Sequence, residues 1–121
     1  MKLTNIDMDK HLSFLNSISS KVTGKLAYAI ARNIRKISSE LIEYNEIRNN
    51  LIEKYGEVND NGRYTISVGT EAFNKFVNDI GEYTLIEHEV DICEVDEETI
   101  CNSSLTAEEM LQLDFMIKDP V

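Results

Sequence analysis

Residues 22–55, VTGKLAYAIARNIRKISSELIEYNEIRNNLIEKY, decide how the rest of the chain is read. Ala27, Ile30, Ile34, Ile37, Leu41, Tyr44, Arg48, Leu51 and Tyr55 recur there in steps of 3 and 4, the spacing of one helical face. No Gly or Pro falls between Lys25 and Tyr55, and Gly56 follows as an expected left-handed stop. The pattern predicts a single helix from Val22 to Tyr55, 34 residues, about 50 Å long at about 1.5 Å per residue. Gly24, a poor interior residue, offers Lys25 as a second starting point.

The charges of this helix run against its dipole. Lys25, Arg32, Arg35 and Lys36 lie in the first half, and Glu40, Glu43, Glu46 and Glu53 in the second, the reverse of what the dipole favours. A second copy laid antiparallel about Leu41 would set each basic half against an acidic half, so a homodimer through the seam Ile30, Ile34, Ile37, Leu41, Tyr44, Arg48 and Leu51 is expected. Arg48 would fix its register. The flanks temper that picture. Ala31, Ser38, Asn45 and Ile52 on one side, and Leu26, Asn33, Glu40 and Ile47 on the other, are mostly small or apolar. The stripe is therefore wide enough to pack under other elements of its own chain as well.

Working outward, Met1–Ile6 reads as a short strand or lead-in and Asp7–Ser19 as a helix with Met8, Leu12, Leu15 and Ile18 inward, capped by Thr4 or Asp7. Tyr64–Val68 alternates as a strand after the turn signal Asn61-Gly62. Thr70 caps a helix with the face Phe73, Phe76, Val77 and Ile80, ending at Gly81 or near Ile86. Glu89–Val95 alternates as a second strand, Asp96–Ser104 reads as an acidic loop, and Thr106-Ala-Glu-Glu109 is a capping box. Leu105 and Met110 are placed as its hydrophobic staple. Met110, Leu113, Met116 and Ile117 face inward on the last helix, which Pro120 ends. The expectation is one helix-rich α+β domain over 1–121: an N-terminal helix (1–20), the long helix (22–55), strand–helix–strand (64–95) forming a small two-stranded sheet, and a C-terminal helix (106–117).

Charge divides the chain. Residues 1–75 carry 11 Lys/Arg against 9 Asp/Glu, and residues 76–121 carry 1 Lys against 13 Asp/Glu. The excess of acid argues against binding duplex nucleic acid. Apolar runs are too short to span a bilayer and the N-terminus lacks a signal-peptide pattern, so a cytoplasmic protein without membrane contact is expected. Cys93 and Cys101 are expected as free thiols.

Two surface features carry candidate sites. Lys21, Lys25, Tyr28, Arg32 and Arg35, with Lys36 adjacent, form a basic stripe opposite the seam. It is suited to an anion or nucleotide, or to the chain's own acidic half. Glu82, Glu87, Glu89, Asp91, Glu94, Asp96, Glu97 and Glu98 form an acidic face that can mimic phosphates toward a basic groove or simply protect a strand edge. His88, Cys93 and Cys101, with His11, match no zinc spacing; no metal, cofactor or catalytic residue is expected.

The segments KLAYAIARN (25–33) and EKYG (53–56), with Tyr44 and Arg48, resemble a family of small uncharacterised proteins from phages of Gram-positive bacteria. Phe73-Asn74, EVDI (89–92) and LDFMI (113–117) continue the likeness over most of the chain from Lys25 onward. The chain departs from that pattern at Val22-Thr23-Gly24, where a Pro is expected near the helix start. The family has no assigned activity, so the resemblance supplies a context, a phage or prophage protein in a bacterial host, and no catalytic residue. Within it the expected function is non-enzymatic. The protein would be a counter-defence, anti-CRISPR-like inhibitor that occupies a basic nucleic-acid site of a host protein, or sequesters a nucleotide signal. The alternative is a phage structural or assembly accessory acting through the long helix.

Overall fold

Thr4 opens the first helix as expected: its Oγ1 accepts from the Asp7 N–H at 3.1 Å. The computed structural model describes Met1–Lys118, so the expected stop at Pro120 lies outside the described residues. A short strand β1 (Lys2–Thr4) runs into helix α1 (Asn5–Ile18), followed by α2 (Gly24–Glu40) and α3 (Ile42–Tyr55). A hairpin of β2 (Glu57–Val58) and β3 (Tyr64–Thr65) precedes α4 (Glu71–Thr84). The chain continues through β4 (Glu87–Glu89), a short helix α5 (Glu97–Cys101), α6 (Ala107–Gln112) and a 3₁₀ turn at Asp114–Met116. The architecture is helix-rich α+β.

The predicted 34-residue helix is divided. Leu41, at φ −87° and ψ −3°, ends α2 and precedes α3. Its N–H still reaches the Ile37 carbonyl at 3.0 Å, and its own carbonyl accepts from Asn45 at 2.9 Å. The division lets the halves bury against different neighbours: α2 against α1, and α3 against α4. Leu41 itself is fully buried. Gly56 also differs from expectation. It is extended (φ −90°, ψ 171°), not left-handed. Glycine is needed there for close approach, since a Cβ would fall against the carbonyl oxygens of Ile52 and Thr65.

The core gathers Met8, Leu15 and Ile18 of α1, Leu26, Ile30 and Ile37 of α2, Leu41, and Leu113 and Met116 near the C-terminal end. Each such side chain contributes about 1.5–3 kcal/mol by leaving water. The seam is therefore filled from within. Ile30, Ile37, Leu41 and Tyr44 are buried by the chain's own elements, while Ile34 and Leu51 are partly covered. Arg48 reaches Asp9 of α1 at 3.9 Å, which makes it an intrachain contact. The apolar stripe that would have met a second copy is occupied, and the buried face is turned toward Leu26, Ala29 and Asn33.

The sheets also pair differently from expectation. The predicted strands 64–68 and 89–95 do not form one sheet. β1 pairs antiparallel with β4, Leu3 opposite His88, and β2 pairs with β3, Val58 opposite Tyr64. The strand expected to Val68 keeps only two paired residues. Helix α4 runs through Gly81 to Thr84, capped by Thr70 Oγ1 accepting from Phe73 N–H. Its expected face is only partly used, with Ile80 buried and Val77 exposed. The capping box Thr106–Glu109 forms, but the last helix stops at Gln112 and passes into the 3₁₀ turn. The expected acidic loop holds α5.

Candidate functional site

Residues 90–95, read from sequence as a strand, form an extended strip laid across α2 and held by polar ties. The Val90 N–H donates to the Met1 carbonyl at 2.9 Å. Lys36 Nζ donates to the Asp91 carbonyl at 2.6 Å. Val95 exchanges bonds with Met116 and Lys118, both at 2.8 Å. The central tie is Asn33. Its Nδ2 donates to the Cys93 carbonyl at 3.0 Å and its Oδ1 accepts from the Cys93 N–H at 2.7 Å. One fully buried amide thus replaces a strand partner for Cys93.

The strip changes parity along its length, with Val90 and Ile92 inward on one register and Val95 inward on the other. An Ile92 N–H to Val90 carbonyl bond of 3.1 Å tightens the backbone, an i to i−2 turn. Val90, Ile92 and Val95 are buried, while Glu89, Asp91, Glu94 and Asp96 are exposed. Sequence reading missed Asn33. The available signal was a polar residue three after Ile30 and four before Ile37, on the covered flank of the helix.

Every residue of the predicted acidic face is exposed, but they belong to several elements. Glu82 stands on α4, Glu87 and Glu89 on β4, Asp91 and Glu94 on the strip, Asp96 before α5, and Glu97 and Glu98 in its first turn. Glu89 is paired with the N-terminal ammonium at 2.8 Å, which holds its carboxyl below the usual range. Asp91 lies 3.8 Å from Lys36.

The basic stripe borders this strip. Lys21 pairs with Glu109 at 3.0 Å, and Glu109 is held below the usual carboxyl range first by the Thr106 N–H and then by Lys21. Lys36 is tied to Asp91. Among the described residues no ion pair engages Lys25, Arg32 or Arg35. The Arg32 guanidinium lies 5.7 Å from the Tyr28 ring centroid, and Tyr28 is 64% exposed. Lys25 and Tyr28 line an open groove of about 320 Å³ whose opposite wall carries Glu94 and Asp96. The two features predicted as separate faces therefore adjoin, and the groove between them holds charges of both signs.

The remaining candidates are dispersed. His88 faces Glu40, with Nδ1 3.3 Å from Oε2. His11 stacks on Phe115 with ring centroids 3.8 Å apart, and burial lowers its pKa against the opposing effect of Asp7. Cys93 and Cys101 are free thiols. Among the described residues no cluster of three or more His, Cys, Asp or Glu is placed to hold a metal, and no helix is long and apolar enough to cross a membrane.

Compared with protein-family models, with curated proteins and with solved structures, the chain matches none.

Proposed function

We propose that this protein is a non-enzymatic binding module that engages a basic protein surface through its acidic strip and the start of α5. One observation carries the reading: Asp91, Glu94 and Asp96 project from a backbone fixed by Asn33, Lys36 and the Val95 bridge. Carboxylates on a held backbone lose little conformational freedom on binding and can meet a row of Lys or Arg side chains as a phosphate backbone would. Taken with the resemblance read from the sequence to small phage proteins, this supports a nucleic-acid-binding defence component of a bacterial host as the partner, and anti-CRISPR-like inhibition in the host cytoplasm as the activity. The nucleotide-sequestering variant is weaker, because Glu94 and Asp96 line the same groove as Lys25, Tyr28 and Lys118 and offset the attraction of its two lysines for an anion. The assembly variant loses its apolar helix face to the protein's own core.

The test is a pulldown from host lysate followed by reconstitution with the captured basic target. Replacing Glu94, Glu97 and Glu98 with Gln and Asp96 with Asn is expected to abolish inhibition and to flatten its salt dependence. Undiminished inhibition by that variant would overturn the proposal.

A further inference from the structure

The hairpin between β2 and β3 turns at Asn61-Gly62, the one Asn-Gly pair in the sequence. Both residues are exposed. Asn59 organises the turn. Its Oδ1 accepts from the Asn61 N–H at 2.9 Å and from the Arg63 N–H at 3.1 Å, and its own N–H donates to the Arg63 carbonyl at 2.7 Å. The Asn61 side chain takes no part in this: among the described residues its amide makes no hydrogen bond. Gly62 stands at φ +76° with nothing within 4 Å of where a Cβ would lie. A free side-chain amide is thus followed by a peptide nitrogen that no side chain shields. The remaining tie is a bond of 3.0 Å from the Gly62 N–H to the Asn59 carbonyl. It belongs to a hairpin with two paired residues on each strand, which opens at small cost.

We propose that Asn61 is a modification site at which the chain deamidates itself. The Gly62 main-chain nitrogen gives its proton to a solvent base and attacks the Asn61 side-chain carbonyl carbon. The new N–C bond closes a succinimide ring as the Asn61 Cγ–Nδ2 bond breaks, and ammonia leaves with a proton taken from water. Water then opens the ring at either carbonyl, leaving Asp or isoAsp at position 61. Nothing is oxidised or reduced. The other asparagines are placed differently. Asn33 has both ends of its amide bound to Cys93. Asn16, Asn45, Asn74 and Asn78 lie inside helices, where the next N–H is held in the helical ladder. Asn102, exposed after α5, is the nearest rival, but the Ser103 N–H donates to the Ile100 carbonyl at 3.0 Å and Ser103 carries a side chain. The Asp product adds a negative charge beside Asp60. The isoAsp product adds a methylene to the main chain inside the turn that Asn59 closes, which works against the pairing of Val58 with Tyr64. Strand β3 packs on α3, so the isoAsp form loosens the hairpin on that helix.

The test is ageing of the whole protein in mildly alkaline buffer, followed by peptide mapping that separates Asp from isoAsp and by hydrogen exchange. Conversion at Asn61 is expected to be at least about tenfold faster than at Asn102, to speed up with pH, and to yield isoAsp as well as Asp. A smaller margin over Asn102, or an Asp product alone, would overturn the proposal. In urea the unfolded chain is expected to react at Asn61 within about tenfold of the folded rate. A larger gap would show that the hairpin holds its tip closed, and the proposal would fail. Asn61→Gln is expected to stop conversion at this position, because closing a ring through one more methylene is slower. Asn61→Asp carries the charge without the extra main-chain methylene. Its residues 57–65 should exchange as in fresh protein, whereas the aged, isoAsp-containing protein should exchange faster there. Equal exchange in the two would overturn the lengthened turn as the cause of the loosening.

Discussion

Helices α2 and α3 come from one uninterrupted helical pattern, yet they live in different surroundings. Helix α2 buries Leu26, Ala29, Ile30, Asn33 and Ile37, whereas α3 buries Tyr44 and α4 buries Ile80. Around α3 and α4 stand exposed apolar side chains: Ile42, Val58, Tyr64, Val68, Val77 and Leu85. Periodicity shows which residues share a face, but burial depends on what arrives to cover it. The α1–α2 half carries a deep core and the acidic strip. The α3–α4 half rests on a shallow one and should open more readily.

The sharpest way to break this contrast is Asn33→Leu. It removes both bonds to Cys93 and strands the Cys93 N–H and carbonyl, which should cost about 3 kcal/mol in chemical denaturation and speed hydrogen exchange along residues 90–95. A loss under about 1 kcal/mol would mean that the strip is held by its other ties. In the shallow half, Tyr55 donates to Asp79 Oδ2 at 2.5 Å, joining α3 to α4. Tyr55→Phe should cost about 1–2 kcal/mol and raise exchange in α3 and α4 while α2 stays protected. Equal exchange in all three helices would show that the halves open together. The smallest effect concerns pH. Burial sets the His11 pKa below its ordinary 6.5, so as pH falls below that value the unfolded chain takes up the proton first. His11 therefore supports the fold fully above about 6.5 and loses that support as pH drops toward its folded value. His11→Leu should flatten this part of the stability–pH curve, and an unchanged slope would remove His11 as its source.

Local chemistry was legible in the sequence: the Thr4, Thr70 and Thr106 caps, the polar exposure of the basic stripe, and the outward carboxylates all follow from neighbouring residues. Three features were not. The Leu41 interruption has no Gly or Pro to mark it, because packing on two different helices imposes it. The β1–β4 pairing joins Leu3 to His88, and no local pattern names a partner that far away. Asn33 looked like a flank position of a helix, since its value depends on Cys93, 60 residues later.

That separation of 60 residues gives the strip a place in the order of synthesis. The basic half of the chain leaves the ribosome first, with Asn33 already on a helix that can pair with α1. The strip that satisfies this amide is made afterwards. During translation Asn33 must keep its water, and α2 cannot close over it. The last tightening of the core and the first appearance of a fixed acidic surface are thus one event: a chain stalled before Cys93 carries 11 Lys/Arg against 14 Asp/Glu, where the finished molecule carries 12 against 22, and would present the cationic stripe without Glu94, Asp96, Glu97 and Glu98 beside it.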